Sequence, residues 1–302
     1  MECPCYVKYN RIFILQSFLI FICCISINFE ANAADSDFRV FDSIKLVNKP
    51  SLAEYGFHPI ALFGFSSLWG KTDDKTQLPD KTNLLNLVQG AIQQNCNVIC
   101  LDIEHWPTIG LPEQIADTIA KMTTIVLWIK SAYPKVLVGY YGIVPKRDYW
   151  RAIKGAENDK YKAWQKENDQ LKQIADVVDI LFPSVYTFYD DIEGWVKYAK
   201  AQISEARRYG KPVCAFIWPY YHGSNKILGG KQLSRGYWER ELKTLREVTD
   251  GIVIWTSRNV AINNPNNWDE EAGWWNATKD FMFTIKVTDK PMTPLGLKVK
   301  PQ

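Results

Sequence analysis

Histidine and cysteine are scarce in this chain, and their scarcity removes whole classes of chemistry. The 302 residues hold 3 histidines and 7 cysteines, and 4 of the cysteines (Cys3, Cys5, Cys23, Cys24) fall within residues 1–33. The remaining Cys96, Cys100 and Cys214 are too few for the disulfide framework of a small secreted scaffold. Cys96 and Cys100 stand four apart on an extended stretch, too far to bridge without a bend. All three sit in or beside apolar runs, where a free thiol packs as a small hydrophobe. With no Cys-x-x-Cys and no histidine cluster, neither a metal nor another cofactor is expected. A glycine-rich phosphate loop is missing as well. Gly64 stands alone after the first strand-like run, so no Gly-x-Gly-x-x-Gly announces a dinucleotide fold. Charge of one sign is missing too: 36 basic residues against 33 acidic ones leave a net charge of +3, with no basic run to suit a nucleic acid.

Long apolar runs are missing beyond the first thirty residues. Lys8 and Arg11 precede a mostly apolar stretch, 12–27, and Ala31-Asn-Ala33 supplies a small-residue cleavage pattern. These parts form a secretory signal over 1–33, cleaved after Ala33. The apolar stretch is slightly long for a signal, so an uncleaved anchor is the alternative. The expected product is secreted, extracellular or periplasmic, with no membrane contact after cleavage. Residues 34–285 are expected to form one catalytic domain, and 286–302, with Pro291, Pro294 and Pro301, a tail.

What the chain does have is aromatics and a repeated pattern. All 12 tryptophans follow the leader. Short apolar runs at 60–65, 98–102, 136–141, 180–185, 213–218 and 252–255 read as strands, with a possible seventh at 39–47. Between them lie amphipathic runs at 81–94, 112–132, 161–177, 192–209, 232–248 and 270–283. Pro112 suits a first helical turn and Gly210 a helix stop. Repeated strand–helix units over roughly 270 residues predict an α/β fold of the (β/α) TIM type, irregular, with seven or eight strands. In such barrels the site lies at the C-terminal ends of the strands. Those ends carry Phe65-Ser-Ser-Leu-Trp69, Asp102-Ile-Glu-His-Trp106, Tyr140-Tyr-Gly142, Tyr186, Trp218-Pro-Tyr-Tyr221 and Trp255-Thr-Ser-Arg258.

The apolar run 98–101 ends in two acids. Strand alternation places Asp102, Glu104 and Trp106 on one face, with Ile103 and His105 on the other. Carboxylates ringed by aromatics suit sugar hydrolysis, which usually takes two carboxyl groups on opposite sides of the bond, roughly 5–9 Å apart. Acids two apart on one strand stand on the same side. They fit a substrate-assisted scheme better, in which the sugar's own 2-acetamido oxygen attacks the anomeric carbon. Glu104 then serves as acid and base, and Asp102 orients the acetamide. A two-carboxylate glycosidase using Asp190 and a non-catalytic glycan-binding barrel are the alternatives. A solvated pair capping the next helix is the plain reading of an isolated Asp-x-Glu.

The ordered set Asp102-Ile-Glu104 with Trp106-Pro107, Gly139-Tyr-Tyr-Gly142, Asn168-Asp-Gln170, Pro183-Ser-Val-Tyr186 and Ile252-Val-Ile-Trp255 resembles the hyaluronidases, family 56 of the glycoside hydrolases. The resemblance spans about residues 58–258. It implies a (β/α) barrel that cuts a polysaccharide beside an N-acetylhexosamine with retention of configuration. It further implies that Asp102 and Glu104 are the catalytic pair, with Tyr186, Tyr221 or its neighbour Tyr220, Trp255, Trp106 and Tyr141 around the substrate. An arginine that family members place between the Trp and Pro of the catalytic strand is absent here, as are their disulfides. The resemblance therefore implies the architecture and mechanism of the family, with an N-acetylated polysaccharide or glycan as substrate, while the missing arginine points away from hyaluronan.

Overall fold

The computed structural model describes residues 38–70, 74, 76–257 and 267–288. The expected signal over 1–33, the tail beyond 288 and Arg258 lie outside the described residues.

The apolar runs form parallel strands: β1 (Arg39–Ile44), β2 (His58–Pro59), β3 (Ala61–Gly64), β4 (Val98–Asp102), β5 (Leu137–Tyr140), β6 (Cys214–Ile217) and β7 (Gly251–Thr256). The helices are α1 (Phe65–Trp69), α2 (Lys81–Gln93), α3 (Pro112–Ala132), α4 (Tyr149–Ala152), α5 (Asp159–Gln170), α6 (Lys172–Val177), α7 (Ile192–Arg207), α8 (Arg235–Val248) and α9 (Gly273–Thr288). One sheet runs β2-β1-β7-β6 and the other β3-β4-β5. Parallel bridges from Tyr141 to Phe182, Leu181 to Val213 and Ser184 to Phe216 join them on one side. On the other side β2 and β3 are one stretch of chain, pairing with β1 at His58 and with β4 from Ala61. Seven strand positions thus follow one another around a (β/α) barrel.

The expected strand over 180–185 makes bridges in place of a ladder. Pro183 has no N–H to donate, which breaks a continuous run of hydrogen bonds at its middle. The segment still packs hard against β5. A Cβ added to Gly139 would lie 2.2 Å from the carbonyl oxygen of Ile180, so only glycine permits this approach. The helix expected over 161–177 divides into α5 and α6 at Leu171, whose N–H turns back to the Asn168 carbonyl. Side-chain caps start several helices: Asp80 accepts from Asn83 N at 2.6 Å, Asp191 from Gly194 N at 2.8 Å and Ser234 from Tyr237 N at 3.2 Å.

Alternation along the strands makes two cores. Ile99, Leu101, Val138, Ala215, Ile252 and Ile254 face outward into one apolar layer with the helices. Phe41, Val98, Cys100, Phe182, Phe216 and Val253 face inward and fill the barrel. Cys96, Cys100 and Cys214 are free and buried, and burial pushes each thiol's pKa up, which leaves them inert.

Candidate active site

The alternation that sends Val98 and Cys100 into the barrel also sends in Asp102, at the C-terminal end of β4. Ile103 returns to the outer layer, fully buried, and Glu104 follows on the inner side. Both acids line one cavity of about 190 Å³ at the mouth of the barrel, together with Tyr141, Tyr186, Trp218 and Trp255. Burial, the negative charge of Glu104 and a hydrogen bond with Glu104 together raise Asp102 from the ordinary 3.8 to about 6. Lys45 opposes the rise only weakly, as the smallest influence.

Aromatic rings wall this cavity. Tyr186 stacks on Trp255 at 5.8 Å with the planes 25° apart, and Trp218 meets Trp255 edge-on at 5.1 Å. The Tyr141 hydroxyl donates to Ser184 Oγ at 3.0 Å and shares a hydrogen bond with Tyr186. Burial pushes Tyr141 up to about 12 and raises Tyr186 as well, so both phenols remain protonated donors. The indole Nε1 of Trp218 is buried with no hydrogen-bond partner among the described residues.

Glu104 is shared with a second cavity of about 200 Å³, which also touches Tyr141 and Arg147 and is lined by Trp106, Thr108 and Lys146. Glu104 thus stands at the border between two adjoining spaces. Two cations flank that border. Lys146 Nζ donates to Thr108 Oγ1 at 2.8 Å, and Arg147 lies over the Phe188 ring at 5.0 Å. Among the described residues neither is ion-paired with a carboxylate. Their loop is held from behind: Asn168 Oδ1 accepts from Lys146 N at 2.9 Å, and Trp164 Nε1 and Gln202 Nε2 donate to Lys146 O at 2.8 and 3.0 Å. Asn168 in turn donates to buried Glu205, which pairs with Arg208 at 2.6 Å. The Asn168-Asp-Gln170 motif closes α5 and serves this buried network.

Of the residues singled out from sequence, Asp102, Glu104, Tyr141, Tyr186 and Trp255 come together around the first cavity. Trp106 does not join them. β4 ends at Asp102, so strand alternation no longer governs four residues on, and Trp106 packs edge-on against Trp69 at 5.5 Å and faces the second cavity. Tyr221 is turned aside: its hydroxyl donates to Asp190 Oδ1 at 2.7 Å, and its ring packs near Tyr237. Tyr220 sits behind Trp218 at 6.0 Å, outside the cavity lining. Asp190 lines neither cavity, so the acid kept for a two-carboxylate scheme does not face Glu104. His105 packs edge-on against Phe65 and Trp69, at 5.2 and 5.0 Å. The lining residues not named from sequence as site residues include Arg147, His222 and Trp218. Arg147 follows the Tyr-Tyr-Gly strand end, where a barrel's βα loops build the site, and that position was the available signal.

No protein-family model matches the chain, and no curated protein does. Solved structures do. The chain is similar to bee venom hyaluronidase, at 15% identity and a TM-score of 0.56, over 83% of this chain and 96% of that one. It is similar to the same bee venom enzyme in complex with a hyaluronic acid tetramer, at 17% identity and a TM-score of 0.53, over 83% and 96% of the two chains. It also matches a structure of fungal β-1,4-galactanases at 14% identity and a TM-score of 0.49, over 82% and 99%. At such identities the bee venom matches establish a shared barrel fold.

Proposed function

We propose that this chain is a secreted glycoside hydrolase that cuts a polysaccharide beside an N-acetylhexosamine by substrate assistance. One observation carries the reading. Asp102 and Glu104 open together into a cavity walled by Tyr186 and Trp255, and among the described residues no third carboxyl lines it or the adjoining space. A pair on one side of the bond, with no acid opposite, needs its nucleophile from the substrate.

The N-acetyl sugar would lie on Trp255 in the first cavity, with the bond to be broken at Glu104 and the next sugar in the second cavity. The acetamide oxygen attacks the anomeric carbon, and Glu104 gives its proton to the departing glycosidic oxygen. Asp102 accepts the acetamide N–H and stabilises the positive charge that grows on the oxazolinium ring. Glu104, now ionised, takes a proton from water as that water opens the ring, and two inversions leave the configuration retained. Tyr186 and Tyr141, held as protonated donors, fit the acetamide side. Secretion is part of the proposal and is supported by the signal-like pattern of residues 1–33.

The decisive experiment compares an N-acetylated polymer with the same polymer after de-acetylation. The acetylated chain is expected to be cut and the amine form to be cut at least about a thousandfold more slowly, since the amine cannot form the ring. Equal rates on both would overturn substrate assistance.

Lys146 and Arg147 give the leaving-group side a positive field, supplied by a different loop from the one where the resembling family keeps its arginine. That field favours an acidic sugar next to the N-acetylhexosamine. Arg147→Ala is expected to raise KM for an acidic polymer by about tenfold at low salt, with the difference shrinking as salt rises and a neutral N-acetylated polymer unaffected. An equal rise on both polymers would mean that Arg147 only shapes the loop.

A further inference from the structure

Outside both cavities, on the rim formed by the loops after β5 and after the 180–185 segment, two aromatic side chains stand exposed and touching. Trp150 is 60% exposed and Tyr189 is 39% exposed, with ring centroids 5.3 Å apart. We propose that Trp150 and Tyr189 form a remote sugar-binding platform, on which a further ring of the polysaccharide in the catalytic cavities lies. The proposal rests on the glycosidase reading for the identity of that polymer.

Single exposed apolar residues are ordinary, but a contiguous pair beside a functional cleft calls for a partner. The backbone beneath this pair is unusually well tied. Tyr237 OH donates to the carbonyls of Tyr189 and Asp191, both at 3.1 Å. Asn225 Nδ2 donates to Phe188 O at 2.6 Å, and Tyr221 OH to Asp190 Oδ1 at 2.7 Å. Tyr149 lies under both rings, 5.1 Å from Trp150 and 5.0 Å from Tyr189, and rests on fully buried Tyr198. α4, which carries Trp150, is clamped by Arg151, whose guanidinium donates to both oxygens of Glu167 at 2.6 and 2.7 Å. A ligand meeting these rings would find them already placed, and the entropy of ordering them would not be charged against binding.

The platform is continuous with the proposed catalytic cavity. From Trp255 and Tyr186, ring contacts pass to His222 at 6.2 Å, to Phe188 at 4.6 Å, to Tyr189 at 6.3 Å and on to Trp150. Pyranose rings suit such a path: their C–H faces cover aromatic faces, and their hydroxyl edges meet the phenol and indole polar tips and water. A buried protein partner would demand a larger apolar patch than two rings. Tyr221, turned from the cavity, thereby gains a role as the prop of Asp190 in the loop that presents Tyr189.

The test uses Trp150→Ala and Tyr189→Ala in the full mature chain, with unsulfated chondroitin, hyaluronan and glycol-chitin as polymer probes. Native gels cast with each polymer read binding, and cleavage is compared between polymer and the shortest oligosaccharide cut. Each variant is expected to lose about tenfold in polymer retardation and in kcat/KM on polymer, with the short oligosaccharide cut at the parent rate. Trp150→Tyr should restore most of the retardation. Parent-like retardation in both alanine variants overturns the platform, as does an equal loss on the short oligosaccharide. A parent protein retarded by none of the polymers, or variants changed only in oligomeric state, overturns it too. If the variants lose retardation while no polymer is cut, the platform stands and the hydrolase reading falls.

Discussion

Glu104→Gln will leave a folded protein with essentially no turnover. The amide keeps the size and most of the polarity of the carboxyl but cannot give up a proton to the departing oxygen or later take one from water. General acid and base action contribute about 10²–10⁴ each in favourable cases, so a fall of at least about 10³ in kcat on a natural sugar leaving group is expected. The residue lies on the border between two cavities and is largely exposed, so the fold loses little, and KM should stay within about threefold. Leaving-group chemistry supplies a sharper check. An aryl glycoside whose phenol leaves as the anion needs no proton, so its first step should suffer far less in the variant than that of the polymer. Turnover of polymer within tenfold of the parent would take Glu104 out of the acid role. A uniform loss on both substrate types, with a shifted melting temperature, would instead make the residue structural.

How far such a site can be read from sequence depends on which forces set each position. Asp102 was legible because β4 is a regular buried strand: the alternation of Val98, Ile99, Cys100 and Leu101 fixes which residues face the barrel, and Asp102 continues the inward set. The order of strands and helices was legible for the same reason, since the apolar period and the signals at Pro112 and Gly210 are local. Trp106 was legible as a neighbour of Glu104, but not as lining the second cavity alone, because the period outlived the strand that justified it. Tyr221 depends on Asp190, thirty-one residues away in sequence, and no local pattern announces that hydrogen bond. Arg147 is the strongest case. Its loop takes its course from Asn168, Trp164 and Gln202, three buried donors and acceptors on two helices, and only their assembly turns the guanidinium toward Tyr141 and His222. Motifs carry the chemistry that strands hold in place, and loops hide the chemistry that distant helices hold in place.

Asp102→Asn should inactivate the protein and, at neutral pH, stabilise it. The carboxyl of Asp102 is raised from the ordinary 3.8 to about 6, by burial first and by the neighbouring charge of Glu104 second. Below about pH 4 the group is protonated in both folded and unfolded chains, and it makes no difference to stability. Between pH 4 and 6 the unfolded chain ionises while the folded one still holds its proton, so the folded state is progressively penalised as pH rises. Above pH 6 the penalty is complete, on the order of 2–3 kcal/mol for a shift of this size. Asparagine carries no charge to bury. The variant should therefore melt about 5 °C higher than the parent at pH 7.5 and no higher at pH 3.5, a crossing that a simple packing effect would not produce. Activity runs the other way. The amide cannot offset the positive charge of the oxazolinium, and kcat should fall by about 10²–10³ with the substrate still bound. In the parent, kcat/KM should rise with pH through about 6, as Asp102 ionises and can offset the oxazolinium charge; in the variant that rise should be missing. Loss of activity together with lower stability at pH 7.5 would show that Asp102 holds the fold. Loss of activity with higher stability marks a charge kept against the interests of the fold, which is the physical signature of a residue retained for chemistry.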